Sequence, residues 1–357
     1  MDLIIENQRS EVLGVVDTAA SVIWHRRYFT AGAFEIYAPA TPDCIALLQR
    51  GHFVTREDAP EAGIIDTVKL TQDEDGTYIA ASGPMLSGLL GRRCIASPAA
   101  YGSQPVETIM RGLVDANGIT TEAARILPGL ALGALRGYTE TATAYASGNL
   151  LEFLGKLSQV STIGFRVRKS GAALVFELYK GTDRSIAQTA VPQVIFAEAF
   201  DNLIGAEYEA SDIDRVNTAM VTSAGYRLTV GNGTDASGFE RCEAYAEVSP
   251  VTYTVTKDED SYTVVDYAAT MAAMRAEGET ALAPGTENFT GSVMADGAMR
   301  YREDYDLGDI VTVRSDRWGI GINVRIHEID EVYDEEGARM VPTFGSPAPS
   351  AIDLTGR

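Results

Sequence analysis

The hydrophobic period of this chain changes twice, and that change limits the folds open to it. Period-two alternation fills roughly the first hundred residues, helical spacing takes over in the middle, and alternation returns from about residue 204. Alternation in step with the pleat buries one face of a strand, and spacing of three and four buries one stripe of a helix. The order is therefore β, then α+β, then β again, in 357 residues, which is too long for one ordinary domain.

In the first region, "SVIWHRRYF" (21–29) and "GAFEIYAP" (32–39) read as two strands around a short turn. "GIIDTVKLTQ" (63–72) and "TYIAASGP" (77–84) flank "DEDG", a hairpin signal. Ile64, Asp66, Val68 and Leu70 fall on one face, which is expected to look inward. "MLSGLLGRRCI" (85–95) follows as a helical turn or a last strand.

In the middle, "SQPVETIMRGLVDANG" (103–118) predicts a helix with Ser103 as N-cap, Pro105 in the first turn and Gly118 as its end. "SGNLLEFLGKLSQV" (147–160) predicts a second helix, with Leu150, Leu151, Phe153, Leu154 and Leu157 as its apolar stripe. "IGFRVRKSGAALVFELYKG" (163–181) reads as a hairpin burying Phe165, Val167, Leu174, Phe176 and Leu178. Further on, "DYAATMAAMRAEG" (266–278) reads as a helix with Tyr267, Met271 and Met274 on one side, stopped by Gly278. The expected organisation is a β domain over 1–100, an α+β domain over 101–203, a second β domain over 204–250 and 289–345, a small helical insert over 251–288, and a tail over 346–357.

The net charge of −21, from 50 acids and 29 bases, opposes nucleic-acid binding and leaves DNA only as something that slides past. Three scattered cysteines (Cys44, Cys94, Cys242) form no CxxC pair, so neither a disulfide framework nor a zinc ribbon is expected, and a cytosolic origin fits better. "MDLIIENQRS" lacks the pattern of a secretory leader, and "ILPGLALGAL" (126–135) is half the length of a membrane span.

"DYDLGDIVTV" (304–313) brings Asp304, Asp306 and Asp309 close together, but a calcium loop would need glycine where Asp309 stands and glutamate where Ser315 stands. The plainer reading is a turn entering a strand: Leu307 packs inward, Gly308 supplies the bend and Asp309 caps it. His25, His52 and His327 show no metal-ligand spacing, and His327 is expected on the rim of an alternating strand. "WHRRY" is a basic spot whose expected role is a subunit contact, since Arg and Trp concentrate at interface centres. No nucleophile motif is present, and "GNGTDASG" (231–238) joins strands as a hairpin tip rather than cradling phosphate. No catalytic residue, cofactor or metal is assigned.

Four stretches in order, "FELYKGTDRS" (176–185), "VIFAEAFDNLIGAEYEASDIDRVNTAMV" (194–221), "GFERCEAYAEVS" (238–249) and "YDLGDIVTVRSDRWGIGINVRIHEIDEVYDEEGARMVPTFG" (305–345), resemble the siphovirus-type tail protein family of phages and prophages. "RRYFTAGAFEIYAP", "AGIIDTVKL" and "GLLGRRCI" in the first half agree with it. The family is similar to tail-associated baseplate hub proteins. The resemblance implies two tube-like antiparallel β-barrel domains per chain, a homotrimer, and a ring adapting a six-fold tail tube to a three-fold spike. Implied partners are a distal tail or tail tube protein, a spike or tip protein, and a tape-measure protein, with DNA only in passage and no membrane binding. The implied place is a virion tail or phage-tail-like particle. The residues carried over are structural: Gly181, Asp183, Arg184, Asn202, Leu307, Gly308 and Asp309. Rival readings are a peptidoglycan-degrading hydrolase and a carbohydrate-binding receptor protein, the latter expecting exposed aromatic clusters near a loop tip.

Overall fold

The computed structural model describes residues 1–74, 76–231, 237–257, 260–294 and 299–345; the expected tail over 346–357 lies outside them. The fold is mainly β with an α+β middle region. Its largest element is a sheet of ten strands. In hydrogen-bonding order its path runs Ile204–Ser211, Thr286–Met294, Gly337–Gly345, Ile320–Asp334, Ser21–Arg27, Ala33–Pro39, Gly76–Pro84 and Thr67–Asp73. Ile310–Ser315 adds to Ile320–Asp334, and Ile195–Ala197 adds in parallel to Ile310–Ser315. Strands of the two β regions that lie just over 300 residues apart in sequence thus pair in one sheet.

The long strand Ile320–Asp334 makes this possible by changing partners along its length. Its first part pairs with Ile310–Ser315, and Glu328–Tyr333 pairs antiparallel with Val22–Arg27. The register against Gly337–Gly345 shifts between Ile326 and Glu328, a bulge that re-aims the strand. His327 is the residue at that shift. It is buried rather than on the rim, because the bulge breaks the alternation that placed it outside. Burial, with Arg27 nearby, lowers its pKa to about 4, so the ring is neutral at pH 7.

Three cores sit on this framework. A four-stranded sheet of Val12–Val16, Leu3–Glu6, Phe53–Arg56 and Ala59–Ile64 encloses Leu3, Ile5, Trp24, Phe34 and Ile79 with the first part of the large sheet. Around the second part, Phe196, Phe289, Tyr305, Val311 and Phe344 form another core. The short helix α1 (Pro42–Leu47) is capped by Thr41. In the middle region, α2 (Val106–Val114) and α3 (Leu150–Ser161) pack with the hairpin Gly164–Ser170/Ala173–Tyr179. All five hairpin residues expected inside are buried, and Asn149 caps α3 through Leu151 and Glu152.

Several local expectations are corrected. Ser103 lies in the strand Ala99–Pro105, which pairs with Thr141–Ala146, so α2 starts only at Val106. Gly118 sits in a wide turn after α2, close to Leu127 and Leu130. The 63–72 stretch is not one strand: the chain turns between Ile64 and Thr67, Ile64 and Ile65 are both buried, and Leu70 is exposed. Residues 194–203 contribute Val194, Phe196 and Leu203 to the second β core rather than to the middle region.

The insert is larger than 251–288. Val216 and Ala283 exchange backbone hydrogen bonds at its base. Between them, Thr218–Ser223 is flanked by Tyr226–Gly231 and Glu243–Glu247, and helix α4 (Tyr267–Ala281) packs on that small sheet over Val221, Val248, Ala273 and Met274. The hairpin Thr252–Lys257/Asp260–Val265 completes it. Gly278 does not stop α4; a Cβ there would lie 2.5 Å from Val230, so glycine allows helix and sheet to approach. Tyr226–Gly231 and Glu243–Glu247 lie on opposite edges of Thr218–Ser223 and do not pair with each other; of the 231–238 stretch expected as a hairpin tip, residues 232–236 lie outside the described residues.

The ends of the insert meet at Val216 and Ala283 and it has a small core, but α4 also packs against Thr141–Ala146 of the middle region, so removing the insert should lower stability without abolishing the fold. Replacing residues 216–283 by a short Gly-Ser linker is expected to leave one cooperative thermal transition and a β-type circular dichroism spectrum. Loss of that transition would show the insert to be integral.

Candidate functional site

The residues singled out in "YKGTDRS" and "DLGD" meet at one joint, although more than 120 positions separate them. The Asp309 carboxylate accepts from the Thr182 amide at 2.7 Å, from the Asp306 amide at 3.1 Å and from Arg184 Nε at 3.1 Å. Burial raises its pKa, and these donors work against that rise. The Arg184 amide donates to the Ile310 carbonyl at 2.7 Å, and the Ile310 amide donates to the Thr182 carbonyl at 3.0 Å. Asp183 folds its own turn by accepting from the Ser185 amide.

Two glycines let the turns touch. A Cβ on Gly181 would stand 2.0 Å from the Gly308 carbonyl. Gly308 has φ +96°, and a Cβ there would strike the Tyr28 ring at 2.4 Å. Leu307 is buried in the second core beside the joint. Asn202 acts a step away: it accepts from the Ala197 amide at 2.9 Å and donates to the Ile195 carbonyl at 2.8 Å, holding the strand that pairs with Ile310–Ser315.

Tyr28 was not singled out from sequence, yet it links three regions. It follows the Ser21–Arg27 strand, is fully buried, and directs its hydroxyl at the Thr162 and Tyr179 carbonyls, at 3.1 and 3.2 Å. Gly164 and Gly308 both lie against its ring, and the Arg325 guanidinium stands 5.2 Å from the ring centre. Burial pushes its hydroxyl pKa up, with Arg325 opposing. The only cue was an aromatic residue ending a basic strand.

Beside this joint lies a buried ionic cluster. Glu331, with no exposed surface, receives Arg56 at 2.7 Å, Arg302 at 2.8 Å and the Tyr301 hydroxyl at 2.7 Å. Arg26 meets Glu61 at 2.5 Å and Asp306 at 2.5 Å. Arg56 also grips Asp58 through two nitrogens and stands over the rings of Trp24 and Tyr333. Burial raises the pKa of Glu61, but Arg26 and Arg302 outweigh it and hold the carboxyl at about 2. The same contest, won by Arg302, Arg56 and Arg26, lowers Glu331.

The basic spot "WHRRY" is consumed within the chain and is not a free subunit contact. Trp24 and Arg26 are buried, His25 meets Asp330 at 2.9 Å, and Arg27 meets Asp330 and Glu328. The three carboxylates of "DYDLGD" also separate: Asp304 turns to Arg300, Asp306 to Arg26, and Asp309 to the joint. Groups so locked fix geometry. Their charges are spent on neighbouring guanidiniums and amides.

The profile of the Siphovirus ReqiPepy6 Gp37-like protein family matches residues 2–346. The chain belongs to this family. The matched span takes in the large sheet, the joint and the insert alike. No curated protein matches the chain by sequence. Among solved structures, the tail protein from Neisseria meningitidis MC58 is similar at 13% identity and TM-score 0.55, covering 97% of this chain and 96% of its own. The prophage MuSo2 43 kDa tail protein from Shewanella oneidensis is similar at 13% identity and TM-score 0.56, covering 96% and 98%. Prophage tail protein gp18 from Listeria monocytogenes EGD-e is similar at 11% identity and TM-score 0.51, covering 98% and 96%. At such identities the shared property is the fold.

Two expectations follow. Gly181→Ala should destabilise the chain by about 3 kcal/mol, since a Cβ meets backbone rather than a movable side chain. Gly102→Ala, with nothing within 4 Å, should stay within about 0.5 kcal/mol by urea unfolding. Equal effects would dissolve the joint. The second concerns acid. Glu61 titrates lower in the fold than its ordinary value of 4.5, so its stabilising contribution is complete above about pH 4.5 and fades as pH falls toward 2. The urea midpoint should drop through that window, and less steeply in Glu61→Gln; parallel curves would contradict the pairing.

Proposed function

We propose that this chain is a structural hub at the tip of a phage tail or phage-tail-like particle, built as a homotrimer that adapts a six-fold tube to a three-fold spike or tip. One observation carries the reading: both β regions lie side by side in a single sheet, so each chain offers two β units in fixed relation. Three such chains would present six units around a three-fold axis.

The sheet also supplies a way to close the ring. Among the described residues its path ends at Ile204–Ser211 on one side and Thr67–Asp73 on the other. Unpaired strand edges invite pairing with another chain, and a heterologous contact that closes makes assembly self-limiting. The Thr67–Asp73 edge carries exposed Lys69 and Leu70, and the Ile204–Ser211 edge carries exposed Glu207 and Glu209. Lys69 offers a cross-edge partner for Glu207 or Glu209, although Asp73 in the same strand and Asp66 and Glu74 beside it leave that edge without net positive charge.

In this reading a distal tail or tail tube protein docks on one face of the ring and a spike or tip protein on the other. The tape-measure protein and DNA pass through the bore, and the acid excess keeps DNA from adhering. Wall cleavage belongs to other proteins of the particle.

Native mass spectrometry of the full chain is expected to give a trimer, and Lys69→Glu is expected to shift it toward monomer. A monomer at every concentration tested, or a cleared band in a peptidoglycan zymogram, would overturn the proposal.

A further inference from the structure

The insert displays tyrosines in an arrangement that the hub reading does not use. Tyr253, Val265, Asp266, Tyr267 and Ala268 line an open groove of about 630 Å³ where the hairpin Thr252–Lys257/Asp260–Val265 meets the start of α4. Tyr253 is 51% exposed and Tyr267 is 57% exposed. Tyr226 braces Tyr267 from behind in an edge-to-face contact, with ring centres 5.2 Å apart. Register places Tyr253 and Tyr262 on one face of the hairpin, with Val255 and Val264, so the aromatic surface continues outward from the groove.

From these residues we propose that the groove binds neutral pyranose sugars of a polysaccharide. Three features select this ligand. Tyrosine rings offer flat apolar faces for the C–H face of a sugar while their hydroxyls stay hydrated, as amphipathic aromatic residues do where one side of a contact is wet. The Asp266 carboxylate stands at the groove as an acceptor for sugar hydroxyls, its Oδ1 already oriented by the Ala269 amide at 2.9 Å. Charge sorts the remaining candidates. Between Val216 and Ala283 the sequence carries ten acids and four bases, a field that repels nucleic acids and phosphate-bearing polymers. A neutral, hydroxyl-rich ligand meets no such penalty.

Sugar binding is read by calorimetry on the full chain and oligomeric state by native mass, so failure of one reading is distinguishable from failure of the other. The full-length chain would be titrated by calorimetry with cellohexaose, chitohexaose and dextran as neutral probes and with polyphosphate as the anionic probe. At least one neutral probe is expected to bind. Tyr253→Ala and Tyr267→Ala should each weaken that binding at least tenfold, and Tyr245→Ala, on the outer face of the insert's small sheet, should leave it unchanged. Circular dichroism would confirm that each variant is folded. If no neutral probe binds, if polyphosphate binds instead, or if binding survives both groove substitutions, the proposal is overturned. Self-association that depends on Tyr253 without sugar binding would likewise overturn it and assign the groove to a second copy.

Discussion

The antiparallel pairing of Val22–Arg27 with Glu328–Tyr333 is the interaction on which the rest of this structure depends. It joins chain segments about 300 residues apart, and closing so long a loop has an entropic cost that local hydrogen bonds offset poorly. The side chains around the pairing show what holds it. Arg26 and Glu331 lie on the two paired strands, and both are buried in one ionic cluster with Arg56, Arg302 and Glu61. Buried ion pairs often add little net stability over an apolar alternative, but they penalise misalignment severely. A register slip of one residue would put Arg26 and Glu331 on opposite faces of the sheet and strand each charge. The cluster is therefore best understood as a device that specifies register at the seam between the two β regions.

The second device is steric. Gly181, Gly308 and Gly164 remove the Cβ atoms that would keep the "YKGTDRS" turn, the "DLGD" turn and the middle hairpin away from one another and from Tyr28. Asp309 then accepts across the contact, and Tyr28 reaches Thr162 and Tyr179. First β region, middle region and second β region meet within a few residues. The contact holds the three regions in a fixed relation through backbone and buried side chains.

Much of the local structure was legible in the sequence because local physics determines it. Alternation in "SVIWHRRYF", the hairpin over 163–181 and the amphipathic helix in 147–160 are all set by neighbours a few positions away. The turn character of Leu307, Gly308 and Asp309 was legible for the same reason. What no local pattern carried was partnership. The strands over 218–247 alternate like those of the large sheet, yet they pair with one another and with α4, and nothing in their period says which sheet they join. His327 looked exposed until a bulge placed it inside. Gly278 read as a stop because a glycine serving close helix packing and one ending a helix look alike in sequence. Arg26 read as surface charge because its partners Glu61, Asp306 and Glu331 are scattered across the chain.

Hydrogen exchange across the seam tests the central claim most directly. If one sheet unites the two β regions, amides of Val22–Arg27 and Glu328–Tyr333 should be among the slowest in the chain and should lose protection together as denaturant rises. Exchange of one strand at a denaturant concentration where the other remains protected would mean that the two regions open independently, and the shared sheet would not be what fixes their relation.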